Sequence, residues 1–309
     1  MHAGCPKVFC IILNYRNADL TEGAVRSLKA SEFPGDGLRI FVVDNGSGDG
    51  SAERLRERCP DVTVIASRKN LGFAGGNNIG LRKVLDESSA CPDPENTFVL
   101  LLNNDVEVEP DALAIAAERM QAETDIGVVG PKVLLPDGRL DLACRRSFPT
   151  PSAAFWKLTG LARRYPTHPR YGRYNLTYLD EDTRADVDAV MGAFMLLRLS
   201  VVRRVGLLDD AFFMYGEDLD WAYRIKAHGW RVVYEPAATV WHLKGATSQR
   251  SSNKMIVEFY RAMWLFYRKH YAERSPFLLD WLVILGIIAR GTLALGMNVL
   301  RPAGSKRVS

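Results

Sequence analysis

The chain has 309 residues, of which 47% are hydrophobic and 25% are charged, so it can bury one large core or two modest ones. Its net charge of +4 is too small an excess to indicate nucleic acid as a partner. The five cysteines are scattered without a C-x-x-C pair, which predicts neither a disulfide framework nor a zinc site and favours a reducing, cytoplasmic location.

Short apolar runs alternate with helical patterns through the first 130 residues. The predicted strands are 8–13, 38–43, 62–66 and 98–102, and the predicted helices are 20–30, 51–58, 74–85 and 110–120. The first run leads directly into Asn14 without a cleavage-site pattern, so we expect no signal peptide. The alternation predicts an α/β fold with a mostly parallel central sheet flanked by helices.

The next part of the chain is less regular. Residues 131–185 show no periodicity and carry many prolines and arginines, so we expect an irregular excursion that covers a cleft. Regular elements resume at 187–198, 200–205, 217–228, 231–234, 239–241 and 253–270. A group of arginines in this part is either a solvated face or a contact for an anionic acceptor or a membrane. Its members are Arg145, Arg146, Arg163, Arg164, Arg170 and Arg173.

Polar residues follow each of the four predicted strands at the point where the strand ends. They are Asn14, Asp44, Asn45, Asn70, Asn103, Asn104 and Asp105. Ligands of open α/β sheets bind outside the carboxyl ends of the strands. The sequence therefore predicts a binding site at this edge of the sheet.

The run Asn103-Asn104-Asp105 offers hard oxygen ligands, which suit Mg²⁺ or Mn²⁺ bridging a diphosphate. Asp105 is the one carboxylate of this run that can neutralise a metal charge. The alternative is an Asn/Asp turn. His242 is either structural or, if it faces Asp105, a further metal ligand that favours Mn²⁺.

The acidic run Glu217, Asp218 and Asp220 opens a predicted helix, where the helix dipole favours negative charge. An acidic first turn is therefore the alternative to a functional interpretation. Bulky aromatic residues flank the run, among them Tyr215 and Trp221. A partly dry cleft would raise a carboxylate pKa towards that of a useful general base.

Two further motifs admit both a local and a functional interpretation. Asp44 either opens a plain turn or accepts a hydrogen bond from a nucleotide base or ribose. The Gly-rich stretch that begins at Asn70 opens a helix, where Gly72 and Gly75 allow the backbone to approach a phosphate or sugar. The alternative there is a helix N-terminus with a tight entry.

Taken in order over roughly residues 7–270, these motifs resemble the family 2 glycosyltransferases with a GT-A fold, in particular the rhamnosyltransferase-like group. The resemblance implies that Asp218 is the catalytic base, that Asp105 ends the D-x-D metal motif and that His242 is a further metal ligand. The motif here reads Asn103-Asn104-Asp105, so its first acid is missing. The residues that the resemblance assigns to the nucleotide sugar are Asn14, Tyr15, Asp44, Asn70, Gly72, Gly75, Asn103 and Asn104.

The reaction implied by the resemblance is an inverting, Mn²⁺- or Mg²⁺-dependent transfer from a nucleotide sugar, with dTDP-rhamnose as the leading donor. The implied acceptor is a polysaccharide or lipid-linked glycan. A sugar nucleotidyltransferase is a competing interpretation, but it requires a Gly-rich loop with Arg and Lys where this chain has Asn14-Tyr15-Arg16-Asn17. A non-catalytic nucleotide-sugar binder is another, and it would need neither Asp105 nor Asp218.

The sequence predicts a GT-A domain over residues 1–250, with a nucleotide-binding half (1–130) and an acceptor-side half (131–250), and a helical segment over 251–309. Residues 277–300 have the length and composition of a membrane span. Arg290, near the middle, would cost roughly 2.5–3.5 kcal/mol at a bilayer centre. We favour a helix lying on the cytoplasmic face of the cell membrane, with a core or homodimer helix and a span as alternatives.

Overall fold

The computed structural model describes residues 7–33, 37–243 and 253–300. Over these ranges the strands are β1 (Val8–Asn14), β2 (Leu38–Asp44), β3 (Thr63–Ala66), β4 (Phe98–Asn103), β5 (Val106–Val108), β6 (Ile126–Leu134), β7 (Arg145–Arg146), β8 (Ala185–Asp186), β9 (Ala189–Val190), β10 (Phe194–Arg198) and β11 (Arg231–His242). The α-helices are α1 (Ala18–Lys29), α2 (Ser51–Arg58), α3 (Gly72–Glu87), α4 (Ala112–Ala122), α5 (Pro151–Leu158), α6 (Leu161–Arg164), α7 (Leu199–Val205), α8 (Glu217–Ala227), α9 (Asn253–His270) and α10 (Phe277–Leu300).

One mixed sheet of nine strands forms the centre of the fold, in the order β3-β2-β1-β4-β10-β6-β11-β5, with β8 paired to β11. The strands β3, β2, β1 and β4 are parallel, as predicted. Beyond them, β10 runs antiparallel to both β4 and β6, and β11 is parallel to β6 but antiparallel to β5 and β8. The α/β fold is confirmed, and the parallel arrangement holds for its first half.

The core lies where apolar strands meet the helices that cover them. The first five residues of β1 and of β4 are buried, as expected for strands covered on both faces. Helix α3 approaches β1 closely through glycines, since a Cβ on Gly76 would lie 2.6 Å from Leu13 and one on Gly80 would lie 2.5 Å from Ile11. Close packing here requires residues without a side chain.

The part predicted to be irregular, residues 131–185, contains several short regular elements. The strand β6 extends to Leu134, and α5 begins at Pro151 with the Thr150 hydroxyl accepting a hydrogen bond from the Ala153 N–H. The two strands predicted at 231–234 and 239–241 are one strand, β11, with an irregular register between its halves. Cys91 is disulfide-bonded, which the cysteine spacing did not predict.

The C-terminal helices differ in their exposure. Ala262 and Phe266 of α9 are buried against Phe212 and Leu219, so α9 packs on α8. Helix α10 packs on α9 but is otherwise exposed: its most apolar window is only 6% buried. That exposure excludes the buried core helix that the sequence left open. The predicted division at residue 250 stays a prediction.

Asp220 joins α8 to α9 at a fully buried position. Its carboxylate accepts hydrogen bonds from His270 Nε2 and Lys269 Nζ, both at 2.8 Å, and from Arg224 Nε at 2.9 Å. Burial raises the pKa of Asp220, but these three partners outweigh burial and lower it to about 2. Asp220, the third acid of the acidic run, therefore serves to connect α8 to α9.

We expect Asp220→Asn to lower the free energy of unfolding at pH 7 by about 2 kcal/mol. A carboxylate whose pKa is lower in the folded than in the unfolded state stabilises the folded protein at pH values above its unfolded-state pKa. The difference from the unsubstituted protein should shrink as the pH falls from about 4 towards 2, where Asp220 itself becomes protonated. Urea unfolding at several pH values measures this. Asp19→Asn is the control. It should change the free energy of unfolding little, because the Asp19 side chain is 74% exposed in its ion pair with Arg54. A pH-independent difference would contradict the assignment.

Candidate active site

The carboxyl ends of the parallel strands meet as predicted. Asn14 at the end of β1 is in register with Asp44 at the end of β2, and Leu13 is in register with Asn103 at the end of β4. The strand register thus brings polar residues from three separate parts of the sequence to one edge of the sheet.

Asn14 and Asp44 form a buried network at this edge. The Asn14 amide donates to Asp44 Oδ1 at 2.7 Å and its carbonyl oxygen accepts from the Thr21 hydroxyl at 2.8 Å. The Ser47 N–H donates to Asp44 Oδ2 at 3.2 Å. Both Asp44 oxygens therefore have partners within the protein. Tyr15 is half-buried, with the Arg16 guanidinium 5.2 Å from the centre of its ring.

The Gly-rich entry to α3 is packed against protein. Asn70 Oδ1 accepts from the Gly72 N–H at 2.8 Å, and a Cβ on Gly72, whose φ is +74°, would lie 2.0 Å from the Phe213 carbonyl oxygen. A Cβ on Gly75 would lie 2.8 Å from Leu71 Cβ. The predicted close approach of the backbone occurs here, but it is to neighbouring elements of the chain.

Asp105 and His242 face each other, which is the condition for both to bind one metal ion. Strand β11 pairs with β5 so that His242 lies opposite Val106, which places His242 Nε2 3.3 Å from Asp105 Oδ1. Burial lowers the His242 pKa, but hydrogen bonds to Asp105 and Asp141 outweigh burial and raise it. Asn104 Nδ2 donates to Thr21 Oγ1 at 3.2 Å, and the Asn103 N–H donates to the Ala193 carbonyl oxygen at 2.8 Å.

The donor set around Asp105 suits a divalent cation that a substrate completes. Among the described residues, no group of three or more His, Cys, Asp or Glu side chains could hold a metal ion. Asp105 and His242 would supply one carboxylate oxygen and one imidazole nitrogen, a combination that Mn²⁺ accepts. The remaining ligands would have to come from a diphosphate and water.

The acidic run begins after a turn in which Tyr215 and Gly216 have φ values of 69° and 80°. Asp218 Oδ2 accepts from Arg146 Nη2 at 2.6 Å and from the Gly192 N–H at 3.2 Å. Glu217 is buried, and its Oε2 has no hydrogen-bond partner among the residues that the structure describes. Burial, followed by the nearby charge of Asp218, raises the pKa of Glu217 to about 8.

Residues 190–193 connect these two groups. The Val190 carbonyl oxygen accepts from Arg146 Nη2 at 3.0 Å, and the Gly192 N–H reaches Asp218. The Ala193 carbonyl oxygen holds the Asn103 N–H at the end of β4. One short backbone segment therefore contacts both the acidic run and the strand that precedes Asp105.

Sequence reasoning missed several residues of this site. Arg145 and Arg146 are buried, so the solvated face predicted for the arginine group is wrong for them, whereas the other four members are exposed. Asp141, which contacts His242, lies in the part predicted to be irregular. A pair of adjacent arginines resembles any surface stretch, and only the tertiary contacts distinguish it.

The chain from residue 6 to residue 260 matches the model of the Glycosyltransferase like family 2. The protein is a family 2 glycosyltransferase. It is 27% identical over 284 residues to an N-acetylglucosaminyl-diphospho-decaprenol L-rhamnosyltransferase of Mycobacterium tuberculosis, covering 90% of this chain and 87% of that protein. It is 26% identical over 234 residues to the rhamnosyltransferase WbbL of Escherichia coli, covering 74% and 81%.

Solved structures agree on the fold. A mannosyltransferase of Pyrobaculum calidifontis in complex with GDP-Man and Mn²⁺ has a TM-score of 0.55 at 19% identity, covering 94% of this chain and 72% of that one. GalNAc-T7 with UDP, GalNAc and Mn²⁺ has a TM-score of 0.57 at 14% identity, covering 93% and 55%. The GT-A fold is confirmed. The match to the family model favours a glycosyltransferase over a sugar nucleotidyltransferase or a non-catalytic binder.

Proposed function

We propose that this glycosyltransferase transfers rhamnose, with inversion, from a nucleotide-linked donor to a lipid-linked glycan acceptor. The observation that carries the proposal is the arrangement of two acidic centres around residues 190–193, with Asp105 beside His242 on one side and Asp218 on the other. The names of the two rhamnosyltransferase relatives support rhamnose, and that of the mycobacterial relative supports the lipid-linked acceptor.

Asp105 and His242 are the residues that would hold Mn²⁺ or Mg²⁺, with Asn103 and Asn104 alongside them. Bound there, a divalent cation would stabilise the negative charge of the departing nucleoside diphosphate. Asp105 suits this role because its side chain is 14% exposed and its only described side-chain partner is His242. The complexes of the Pyrobaculum mannosyltransferase and GalNAc-T7 with Mn²⁺ support the choice of cation.

Asp218 is the group in the acidic run best placed to accept a proton from the acceptor hydroxyl. The guanidinium of Arg146 and the Gly192 N–H both donate hydrogen bonds to its carboxylate and fix its orientation. Burial and the nearby Asp218 raise the pKa of Glu217, which makes it a poorer candidate, and Asp220 is held by Arg224, Lys269 and His270. Deprotonation of the hydroxyl by Asp218 as it attacks the far face of the anomeric carbon gives inversion in one displacement.

We propose that the nucleotide base of the donor binds at the edge of the sheet formed by Asn14, Tyr15 and Asp44. Tyr15 is half-buried and can offer a ring face to a base. Since both Asp44 oxygens already have protein partners, a base or ribose would be recognised through second lone pairs or by rearrangement of Ser47. Asn70 is exposed beside this edge, whereas Gly72 and Gly75 shape the loop from within.

Helix α10 is proposed to hold the enzyme on the cytoplasmic face of the membrane. Large apolar side chains are exposed along it, including Trp281 at 49%, Leu285 at 55% and Ile288 at 58%. A helix lying in the headgroup region would bury these apolar side chains, while Asp280 and Arg290 could stay hydrated.

We expect Asp105→Ala to abolish sugar transfer and the Mn²⁺-dependent binding of the donor, because it removes the carboxylate that neutralises the cation. A thermal-shift screen of nucleotide sugars with and without Mn²⁺ measures donor binding and identifies the base and sugar together. Glu107→Ala, which changes an exposed acid two residues away, is the control. Full activity in excess EDTA would show that the reaction needs no metal.

We expect Asp218→Asn to reduce kcat by roughly 10²–10⁴, the usual contribution of a general base, with donor affinity little changed. The substitution keeps the shape of the side chain and removes its basicity. Steady-state kinetics with saturating donor measure the effect, with Glu217→Gln and Asp220→Asn as comparisons. A larger loss of kcat in either comparison variant would move the base to that residue.

We expect truncation after Pro276 to spare donor binding, to reduce activity on a lipid-linked acceptor and to move the protein from the membrane fraction to the soluble fraction. The combined variant Leu285→Glu with Ile288→Glu should shift the fractionation in the same direction while keeping the helix, because both residues are exposed. Flotation with vesicles of anionic lipid measures the association. The proposal would be contradicted if the full-length protein were wholly soluble and the truncated protein were unfolded.

A further inference from the structure

We propose that residues 151–173, which include α5 and α6, form a second membrane-contacting surface that binds the anionic headgroups of a phospholipid bilayer. We call these residues the basic excursion. The inference rests on the proposed location of the enzyme at the membrane through α10. It gives a partner to the four exposed members of the arginine group, which are Arg163, Arg164, Arg170 and Arg173.

The charge of this part of the chain has one sign. Residues 142–179 contain seven lysines and arginines but no aspartate or glutamate, although the whole chain has 36 acids. A segment of this length with several basic residues and no acid is typical of a contact with an anionic surface. Five of the seven lie in the basic excursion and are exposed: Lys157, Arg163, Arg164, Arg170 and Arg173.

These five basic side chains form no salt bridge with any residue that the structure describes. Arg139 and Arg184, which lie on either side of the excursion in the sequence, each pair with a carboxylate. The difference follows from the composition, since the excursion and its neighbours contain no acid that could neutralise the charge locally. Five positive charges therefore remain available for an external anion.

Two of the arginines lie over aromatic rings. The guanidinium of Arg170 is 4.7 Å from the centre of the Trp156 ring, and that of Arg164 is 5.9 Å from the centre of the Tyr165 ring. A guanidinium on a ring face is held in place while its N–H groups stay free to donate to phosphate oxygens. Ring and arginine together suit the boundary between lipid headgroups and acyl chains, where aromatic side chains are enriched.

Large apolar side chains are exposed among these charges. Phe155 and Leu158, three positions apart on one face of α5, are 51% and 57% exposed, and Tyr165 is 49% exposed. No residue of α5 or α6 is buried. A free diphosphate would neutralise the arginines but would leave Phe155 and Leu158 in water. A bilayer surface accommodates both kinds of side chain, which decides between the two anionic partners.

The basic excursion is attached beside the proposed active site. The Ser147 N–H, directly after β7, donates to the Tyr174 carbonyl oxygen at 2.9 Å, which holds the two ends of the excursion together. The preceding residue, Arg146, contacts Asp218. A headgroup contact here would hold the proposed base close to the layer in which a lipid-linked acceptor is anchored.

The test is flotation of full-length protein with vesicles of phosphatidylcholine alone and of phosphatidylcholine mixed with phosphatidylglycerol. We expect Arg163→Gln combined with Arg164→Gln to weaken binding to the anionic vesicles by roughly 5- to 30-fold, because each basic residue near an anionic surface contributes a factor of about 5. Binding to neutral vesicles should not change. High salt should remove the difference between the variant and the unsubstituted protein, because it screens the attraction.

The matched control is Arg54→Gln combined with Arg56→Gln. It removes the same charge from two exposed arginines of α2, which pair with Asp19 and Glu53. The control should bind both kinds of vesicle as the unsubstituted protein does. Equal weakening by the two pairs of substitutions would mean that net charge alone determines binding, and would overturn the inference. Circular dichroism and thermal unfolding with the donor establish that each variant is folded.

The apolar contact has its own variant, Phe155→Ser combined with Leu158→Ser. It should weaken binding to both kinds of vesicle while the fold is kept, because both side chains are exposed. Unchanged binding would mean that α5 stays in water and would contradict the inference. So would a higher KM of the Arg163 and Arg164 variant for a water-soluble diphosphate acceptor with unchanged vesicle binding, because the arginines would then bind the acceptor.

The failure of this inference can be distinguished from the failure of the proposed membrane location. If the unsubstituted full-length protein binds neither kind of vesicle, the proposed role of α10 fails as well. If binding is lost on truncation after Pro276 but is the same in the unsubstituted protein and in the variants of the basic excursion, only this inference fails.

Discussion

The backbone of residues 190–193 is the constraint on which the geometry of this site depends. It accepts a hydrogen bond from Arg146, donates one to Asp218 and accepts one from the end of β4. Gly192 suits this position because a Cβ there would lie 3.2 Å from the ring of Phe73 and 3.6 Å from Asp218 Cβ. A transferase must hold its donor and acceptor groups within a small fraction of an ångström, and fixed backbone contacts provide that precision.

Three acids within four residues have three different environments. Glu217 is buried with an unpaired oxygen, Asp218 is paired with one guanidinium and one backbone N–H, and Asp220 is surrounded by three basic side chains. Burial raises the pKa of Glu217, whereas the basic partners of Asp220 outweigh burial and lower its pKa. Helical spacing produces this division, because successive residues of α8 point to different neighbours.

The two C-terminal helices differ in how they contact the catalytic domain. Helix α9 buries Ala262 and Phe266 against the domain and is tied to it through Asp220. Helix α10 contacts α9 at Gly291, which lies against Tyr260, and through a hydrogen bond between Asn298 and Asn253. The rest of its apolar surface faces outwards, which under our proposal is the surface that meets lipid.

The sequence by itself determined the fold class, the parallel first half of the sheet and the edge at which the polar residues gather. These follow from local information: apolar runs of strand length, helical periodicity and the polar residues that end each strand. Helices α9 and α10 were also predicted, because one has helical periodicity and the other is a long apolar segment. The pairing of Asp105 with His242 was expected as one of two alternatives and is now observed.

Only the tertiary structure decided the direction of the later strands and the contacts of the buried charges. An apolar strand has the same pattern whichever way it runs, so β10 could not be recognised as antiparallel. Arg146 and Asp141 meet Asp218 and His242 across 72 and 101 positions of sequence, and their own neighbours resemble ordinary surface residues. Such contacts depend on how whole elements pack, and no local pattern encodes that packing.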